Sequence, residues 1–169
     1  AEALKTAQKH KKPIVGLFSF DPHFALQKRS AGRLPLVLAV IPEQIQTDLQ
    51  TMAQMFKARK LTFLVDGALL GQVKGLKQQL EASAKKQGFT ASIKPVLDTA
   101  SKTLKGLGKN MKAVYLTPGL QMPASQRKQL MDELNKRGCF VFSGAGATDV
   151  QNGALAGQLP PMNERLARH

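Results

Sequence analysis

Short, unbroken apolar runs that alternate with helix-like stretches constrain the fold of this chain more than any other feature of its sequence. Six such runs are spaced along the 169 residues, at positions 13–20, 36–41, 61–65, 90–96, 113–116 and 139–142. Most carry apolar residues at successive positions rather than at every second one. That pattern is typical of strands that are covered on both faces.

The stretches between these runs show apolar residues three and four positions apart, which is the spacing of a helix. We predict four helices: one that begins near Pro42 and is marked by Ile45, Leu49, Met52 and Phe56, and others at 69–84, 98–107 and 123–137. A strand–helix–strand rhythm of this kind predicts an α/β fold, with a doubly wound, mostly parallel sheet flanked by helices in a Rossmann-like lobe.

In such a sheet, ligands bind outside the carboxyl ends of the strands. The residues that follow the predicted strands are therefore the candidate ligand-binding residues: Asp21, Asp66, Gly67, Thr117, Pro118, Ser143 and Gly144. The Gly144-Ala145-Gly146 segment has two interpretations. Its backbone N–H groups could hold an anion, or its glycines could serve a turn that needs a positive φ.

Composition argues against several kinds of chemistry. The single cysteine, Cys139, lies in the apolar run CFVF, which predicts a buried and inert thiol rather than a reactive one. The three histidines have no metal-ligand spacing, and the phosphate-loop motifs GxxxxGK[ST] and GxGxxG and the nucleophile motif GxSxG are absent. We therefore expect no catalytic residue, no metal, no cofactor and no enzymatic activity.

The chain is strongly basic, with 25 Lys and Arg against 11 Asp and Glu and a formal net charge of +14. Twelve of the basic residues lie between Lys57 and Lys112, beside three acidic ones. Charge of this sign fits nucleic acid, anionic lipid headgroups or an acidic partner. Aromatic residues make up only 5% of the chain and no nucleic-acid motif accompanies the lysines, so a solvated helix surface is expected and nucleic acid is not.

The order of several short motifs resembles a known family. Val141-Phe142-Ser143 and the Gly-Ala-Leu-Ala sequence at 153–156 stand near the end of the chain, after KKPIVGLFSFDP at 11–22 and AQMFKARKLTFLVDG at 53–67. In this order they resemble the ABC-transporter substrate-binding proteins of the type I periplasmic fold, whose two lobes close on a ligand.

That resemblance implies a domain division and a function. Residues 1–35 would be a remnant of the first lobe and the crossover, 36–151 the second lobe, and 152–169 a return segment toward the first lobe. The function implied is a non-enzymatic, solute-binding domain that closes on a small polar or amino-acid-like ligand. It would lie in the periplasm or at the cell-envelope exterior, with a membrane transporter as its partner.

Three alternatives stay open beside it, the last of them an enzyme of flavodoxin-like or receiver type. The first is a degenerate lobe that serves as an interaction module for an envelope efflux or transport component. The second, which rests on charge alone, is a basic α/β domain that binds nucleic acid. The oligomeric state does not follow from the sequence.

Overall fold

A computed structural model describes residues 14–19, 36–108 and 110–157, and it describes side chains from Gln44 onward within these ranges. The chain divides into two compact units, Ala1–Glu43 and Gln44–His169. Each unit is described by itself below. The domain boundary predicted at residue 36 stays a prediction.

The first unit contains two strands that pair in parallel. Strand β1 (Ile14–Ser19) lies beside β2 (Leu36–Val40), with Ile14 opposite Leu36 and a break in register between Gly16 and Ser19. Both strands fall within apolar runs from which strands were predicted. Helix α1 (Ile41–Met55) follows β2 directly, and most of its length belongs to the second unit.

The second unit is built on a five-stranded sheet in which every pairing is parallel. Its elements after α1 are β3 (Lys60–Asp66), α2 (Gly67–Gln72), α3 (Leu76–Lys86), β4 (Thr90–Val96), α4 (Ala100–Lys105), β5 (Ala113–Leu116), α5 (Ala124–Lys136), β6 (Phe140–Ser143), α6 (Ala147–Gln151) and β7 (Ala156–Gly157). The strand order is β4-β3-β5-β6-β7. The predicted α/β fold class, a parallel sheet flanked by helices, is confirmed.

Both faces of this sheet are covered, which explains why the strand sequences are apolar without alternation. On one face, Tyr115 of β5 reaches α1 through its hydroxyl, and Phe140 of β6 stacks on Phe56 just beyond α1. On the other face, a buried cluster joins Leu116 and neighbouring strand residues to Leu130 of α5. Burying a side chain of this size contributes about 1.5–3 kcal/mol, so the two layers together hold the sheet.

The predicted helix at 69–84 is two helices. Helix α2 ends at Val73, whose backbone is extended, and α3 begins after Gly75, which has a φ of +79°. Only glycine adopts that left-handed backbone without strain, so the break is encoded at Gly75. The regularly spaced apolar residues on the two sides of the break differ in burial: Leu69 and Val73 are half-buried, whereas those of α3 are buried.

Among the helices described here, none has the length and apolar character that a membrane span requires.

Candidate functional site

The parallel sheet of the second unit brings six of the seven predicted site residues to one edge. Asp66 ends β3, Thr117 follows β5 and Ser143 ends β6. Gly67, Pro118 and Gly144 come next to them in the chain and lie at the same carboxyl edge. The seventh residue, Asp21, lies outside the described residues.

Asp66 ties the end of β3 to two other segments. Its Oδ1 accepts hydrogen bonds from the backbone N–H groups of Ala68 (2.9 Å) and Leu69 (3.3 Å), so it caps α2. Its Oδ2 accepts from the N–H of Gln121 at 3.1 Å, in the loop after β5. The side chain is 6% exposed and both oxygens are occupied by the protein itself. Asp66 therefore organises the edge rather than offering a free carboxylate.

Thr117 anchors the start of the loop after β5. Its Oγ1 donates to the carbonyl of Leu64 at 3.1 Å, and its N–H donates to the same carbonyl at 3.0 Å. Pro118 follows, and then Gly119 with a φ of +81°, which is the residue pattern of a type II turn. Gly119 is exposed, and its N–H makes no hydrogen bond within the described residues.

Ser143 is held in a chain of polar contacts that sequence reasoning missed. Its Oγ donates to Oδ2 of Asp149 at 2.5 Å and accepts from the N–H of Ala145 at 3.0 Å. Asp149, which is buried, forms an ion pair of 3.2 Å with Arg127. Arg127 in turn donates from Nη2 to the carbonyl of Leu120 at 2.8 Å. The loops after β5 and β6 are thereby joined through side chains.

Arg127 carried one signal that sequence reasoning could have used. It stands in the first turn and a half of α5, where the helix dipole disfavours a positive charge. A cation at such a position calls for a specific anionic partner. The sequence did not show that this partner is Asp149, because the two residues are 22 positions apart.

Gly144 is the residue most tightly enclosed at this edge. A Cβ atom there would lie 2.5 Å from the hydroxyl of Tyr115 and 2.8 Å from Cδ of Pro118. Neither distance is compatible with van der Waals radii, so a glycine is required for close approach. Of its neighbours, only Gly146 has a positive φ, of +74°. The segment therefore uses glycine for packing at one position and for a turn at the other.

A buried carboxyl–phenol pair lies beneath the same edge. The Tyr115 hydroxyl donates to Oδ2 of Asp48 at 2.5 Å, and Nε2 of Gln44 donates to Oδ1 at 2.8 Å. Burial raises the pKa of Asp48 above its usual 3.8, although both hydrogen bonds act in the opposite direction. Burial, and then the neighbouring Asp48 charge, raise the pKa of Tyr115 well above 10.

Within the described residues, the site holds no arrangement that points to one reaction. No group of three His, Cys, Asp or Glu side chains there could hold a metal ion. Cys139 is 6% exposed and lies near the start of β6, away from this edge, and burial raises the pKa of its thiol. The prediction that this cysteine is buried is confirmed.

Comparisons with known proteins give little beyond the fold. No protein family model matches the chain, and no curated protein matches it. Among solved structures, the chain is similar to apo CalE6, a methionine gamma lyase from Micromonospora echinospora. That match has 14% sequence identity and a TM-score of 0.42, and it covers 65% of this chain and 31% of the lyase. The chain thus spans less than a third of that protein, whose activity is not carried over.

These findings overturn the predicted family. No protein family model matches the chain, a substrate-binding-protein model included, so the resemblance to ABC-transporter substrate-binding proteins is wrong. The short motifs behind it have local structural causes. Gly153, with a φ of +107°, follows the end of α6, and Ala154 is buried beside it.

The functions predicted from that resemblance are corrected with it. The non-enzymatic, solute-binding domain of a transport system is contradicted, and the envelope interaction module and the nucleic-acid-binding domain gain no support. The prediction that the chain is not an enzyme is corrected as well: the solved structure reported above is that of a lyase. The predicted location at the cell envelope stays a prediction.

Proposed function

We propose that the second unit binds a small polar molecule at the carboxyl edge of its sheet, between the loops that follow β3, β5 and β6. One observation carries this proposal. Polar side chains, three of them buried and Arg127 half-buried, fasten these three loops to one another at this edge: Asp66, Arg127, Ser143 and Asp149.

The strand order supports a ligand site at this edge. From β3 the chain moves to β4 on one side, and from β4 it returns past β3 to β5 on the other side. The loops after β3 and β5 therefore diverge toward opposite faces of the sheet. Open α/β sheets with this order bind their ligands in the crevice that such a divergence leaves.

The buried contacts hold the three loops in fixed positions. Asp66 and Ser143 have their oxygens engaged by the protein, so they hold backbone segments in place. A preorganised loop loses less entropy when a ligand binds, which favours affinity. The groups left for a ligand are then backbone groups, and the exposed N–H of Gly119 is the clearest of them.

The ligand class that fits is a small molecule with both donors and acceptors, and free amino acids are the first such class to test. Backbone N–H and C=O groups recognise carboxylate and ammonium groups by hydrogen bonding, without needing a free charged side chain. The turn at the exposed Gly119 presents a backbone N–H of this kind, whereas the N–H groups of Gly144, Ala145 and Gly146 are already bonded within the protein.

The experiment is calorimetric titration of the full chain against the proteinogenic amino acids and a panel of small polar metabolites. Two variants are compared, Gly119→Asn and Gly138→Asn. Both glycines have a positive φ, of +81° and +71°, and a Cβ at either would meet no atom within 4 Å. Asparagine tolerates this backbone better than most residues, so the two substitutions have similar effects on folding.

Only Gly119 lies at the proposed site, since Gly138 precedes β6 at the opposite edge. A ligand that binds the wild-type chain is expected to bind Gly119→Asn at least tenfold more weakly and Gly138→Asn unchanged. Equal affinity in both variants would place the ligand elsewhere. The absence of heat with every member of the panel would remove the support for a ligand of this class.

A further inference from the structure

The opposite edge of the sheet, where its strands begin, carries an uneven distribution of charge. Exposed lysines and arginines lie just before or at the start of four neighbouring strands, and we name them the amino-edge cluster: Lys57, Arg59, Lys60, Lys85, Lys86, Lys112 and Arg137. The cluster lies on the second unit alone. It is independent of the proposed ligand site, which occupies the other edge.

Backbone contacts show that the members of the cluster are neighbours in space. The N–H of Thr90 donates to the carbonyl of Arg59 at 2.7 Å, and the N–H of Phe140 donates to that of Lys112 at 2.7 Å. Lys60 stands opposite Thr90 in the β3–β4 pairing. Because neighbouring strands are about 4.8 Å apart, the four strands β4, β3, β5 and β6 span roughly 15 Å.

The positive charges of the cluster are not neutralised by carboxylates of the described residues. None of its seven members forms an ion pair with a carboxylate of the described residues, whereas Lys136 close by is paired with Glu133 at 2.7 Å. Elsewhere on the unit, Lys102 and Lys128 are paired with Asp98 and Asp132. Four other described lysines also form no ion pair, Lys74, Lys77, Lys94 and Lys105, so this edge is distinguished by the number of unpaired cations that it gathers.

Helix dipoles account for only part of the cluster. Lys85 and Lys86 lie in the last turn of α3, where a positive charge stabilises the carboxyl end of the helix. Arg59, Lys60 and Lys112 lie at the starts of strands, where their charges do not stabilise a helix end. Seven like charges on one edge repel one another, so their accumulation needs another explanation.

Apolar side chains are exposed among these cations. Phe140, at the start of β6, is 44% exposed and stacks on Phe56 with ring centroids 4.8 Å apart. Met55, at the end of α1, is 51% exposed. Aromatic residues surrounded by lysine are typical of protein surfaces that lie against the headgroup region of a bilayer.

We propose that the amino-edge cluster docks the second unit onto a membrane surface rich in anionic phospholipids, with Phe140 entering the headgroup layer. The cations are spread along a row rather than converging on one point, which suits a diffuse layer of negative charge better than a single phosphate group. The lysines supply attraction to the layer, and Phe140 supplies apolar contact.

The first test is co-sedimentation of the full chain with vesicles. Vesicles of phosphatidylcholine alone are compared with vesicles in which about a third of the lipid is phosphatidylglycerol. Binding to the anionic vesicles alone, which weakens as salt is raised from about 0.05 to 0.5 M, is the expected result. Equal partitioning to both compositions, or to neither, overturns the proposal.

Paired charge variants separate the cluster from net charge. Lys60→Gln with Lys112→Gln removes two charges from the edge, and Lys74→Gln with Lys77→Gln removes two exposed charges around the start of α3, near the other edge. Each lysine at a membrane surface contributes about 1 kcal/mol, so the first pair is expected to lower partitioning about 25-fold. The second pair is expected to lower it less than threefold. Equal losses would mean that only net charge matters.

Tryptophan reporters locate the contact, because the chain contains no tryptophan. Phe140→Trp and Leu97→Trp place one at opposite edges, at positions that are 44% and 41% exposed. A blue shift of emission with anionic vesicles in Phe140→Trp alone is expected. The same shift in Leu97→Trp, or tighter binding to duplex DNA or to a polyglutamate peptide than to vesicles at equal salt, overturns the proposal.

Discussion

Removing one buried hydroxyl tests how the helical layer is fastened to the sheet. Tyr115 donates to Asp48 of α1 at 2.5 Å, and its ring packs between Phe63 and Phe142 at centroid distances of 5.5 and 5.9 Å. Tyr115→Phe keeps the ring contacts and deletes only the donor. The Asp48 carboxylate is then buried with the amide of Gln44 as its remaining donor among the hydrogen bonds described above.

The expected loss follows from the charge on the acceptor. A hydrogen bond to a charged group contributes about 1.5–3 kcal/mol, and one to a neutral group about 0.5–1.5 kcal/mol. Tyr115→Phe should therefore lower the free energy of unfolding by about 2 kcal/mol at a pH where the Asp48 carboxyl is ionised, and by less where it is protonated. A domain of this size would lose roughly 4 to 10 °C in Tm.

The pH dependence has a definite sign. Because the pKa of Asp48 is raised in the folded state, the native protein holds this proton to higher pH than the unfolded chain does. The unfolded chain thus binds fewer protons, and the contribution of Asp48 to stability falls as pH rises from 3.8 through the raised pKa. Losing the Tyr115 donor raises that pKa further, so the variant should lose more stability at pH 7.5 than at pH 4.

Urea denaturation followed by circular dichroism at both pH values measures these differences. The variants Tyr115→Phe, Asp48→Asn and their double form a mutant cycle, with an expected coupling of at least about 1 kcal/mol at pH 7.5. Additive effects within about 0.3 kcal/mol, or a loss that is the same at both pH values, would refute the reasoning.

Three further predictions concern the same region. Gly144→Ala should destabilise the wild-type protein by about 1–3 kcal/mol because its methyl group meets the Tyr115 hydroxyl and Cδ of Pro118, and by less in the Tyr115→Phe background, where the Pro118 contact remains, as urea denaturation would show. Arg127→Met should cost about 3–5 kcal/mol by the same assay because it leaves Asp149 buried without its cation, and Arg127→Met with Asp149→Asn should be less damaging than Arg127→Met alone. Since Tyr115 is the single tyrosine and its pKa is raised by burial, tyrosinate absorbance at 295 nm should appear only together with loss of circular dichroism as pH rises past 10; ionisation of the folded protein would contradict this.

The sheet was predictable because its signal is local. The apolar runs LTFLV and AVYL read as strands without reference to the rest of the chain, and both are strands. Once the strands are parallel, the residues that follow them must share an edge, and Asp66, Thr117 and Ser143 do. The two-residue strand β7 has no apolar run of its own, so the local sequence did not predict it.

The role of the site residues was not predictable in the same way. The positions of Asp66 and Ser143 after their strands indicate a site. Their side-chain oxygens, however, are engaged by Gln121, which is 55 positions from Asp66, and by Asp149, which is 6 positions from Ser143. Asp48 carried a readable signal. It lies three positions after Ile45 and four before Met52, on the apolar stripe of α1, and a carboxylate on that stripe must be buried with a donor.

The short motifs failed as evidence of family for a related reason. Glycines after helices, and prolines or aspartates after strands, are demanded by the turns of any parallel α/β sheet. Their order along the chain therefore repeats wherever that architecture occurs. Only motifs whose side chains have no structural role in the fold could have distinguished one family from another.

The two edges of the sheet differ in how far the protein itself engages their charged side chains, although Nε of Arg127 has no hydrogen-bond partner among the described residues. At the carboxyl edge the charged side chains Asp66, Arg127 and Asp149 are bound to the protein itself, which leaves backbone groups in fixed positions and suits a small molecule of defined shape. At the amino edge the cations of the cluster form no ion pair within the described part of the chain, and their flexible stems can adapt to a surface without defined shape. A ligand held by geometry and a surface held by charge can therefore be bound by one sheet at once, and raising the salt concentration should release the second while leaving the first in place.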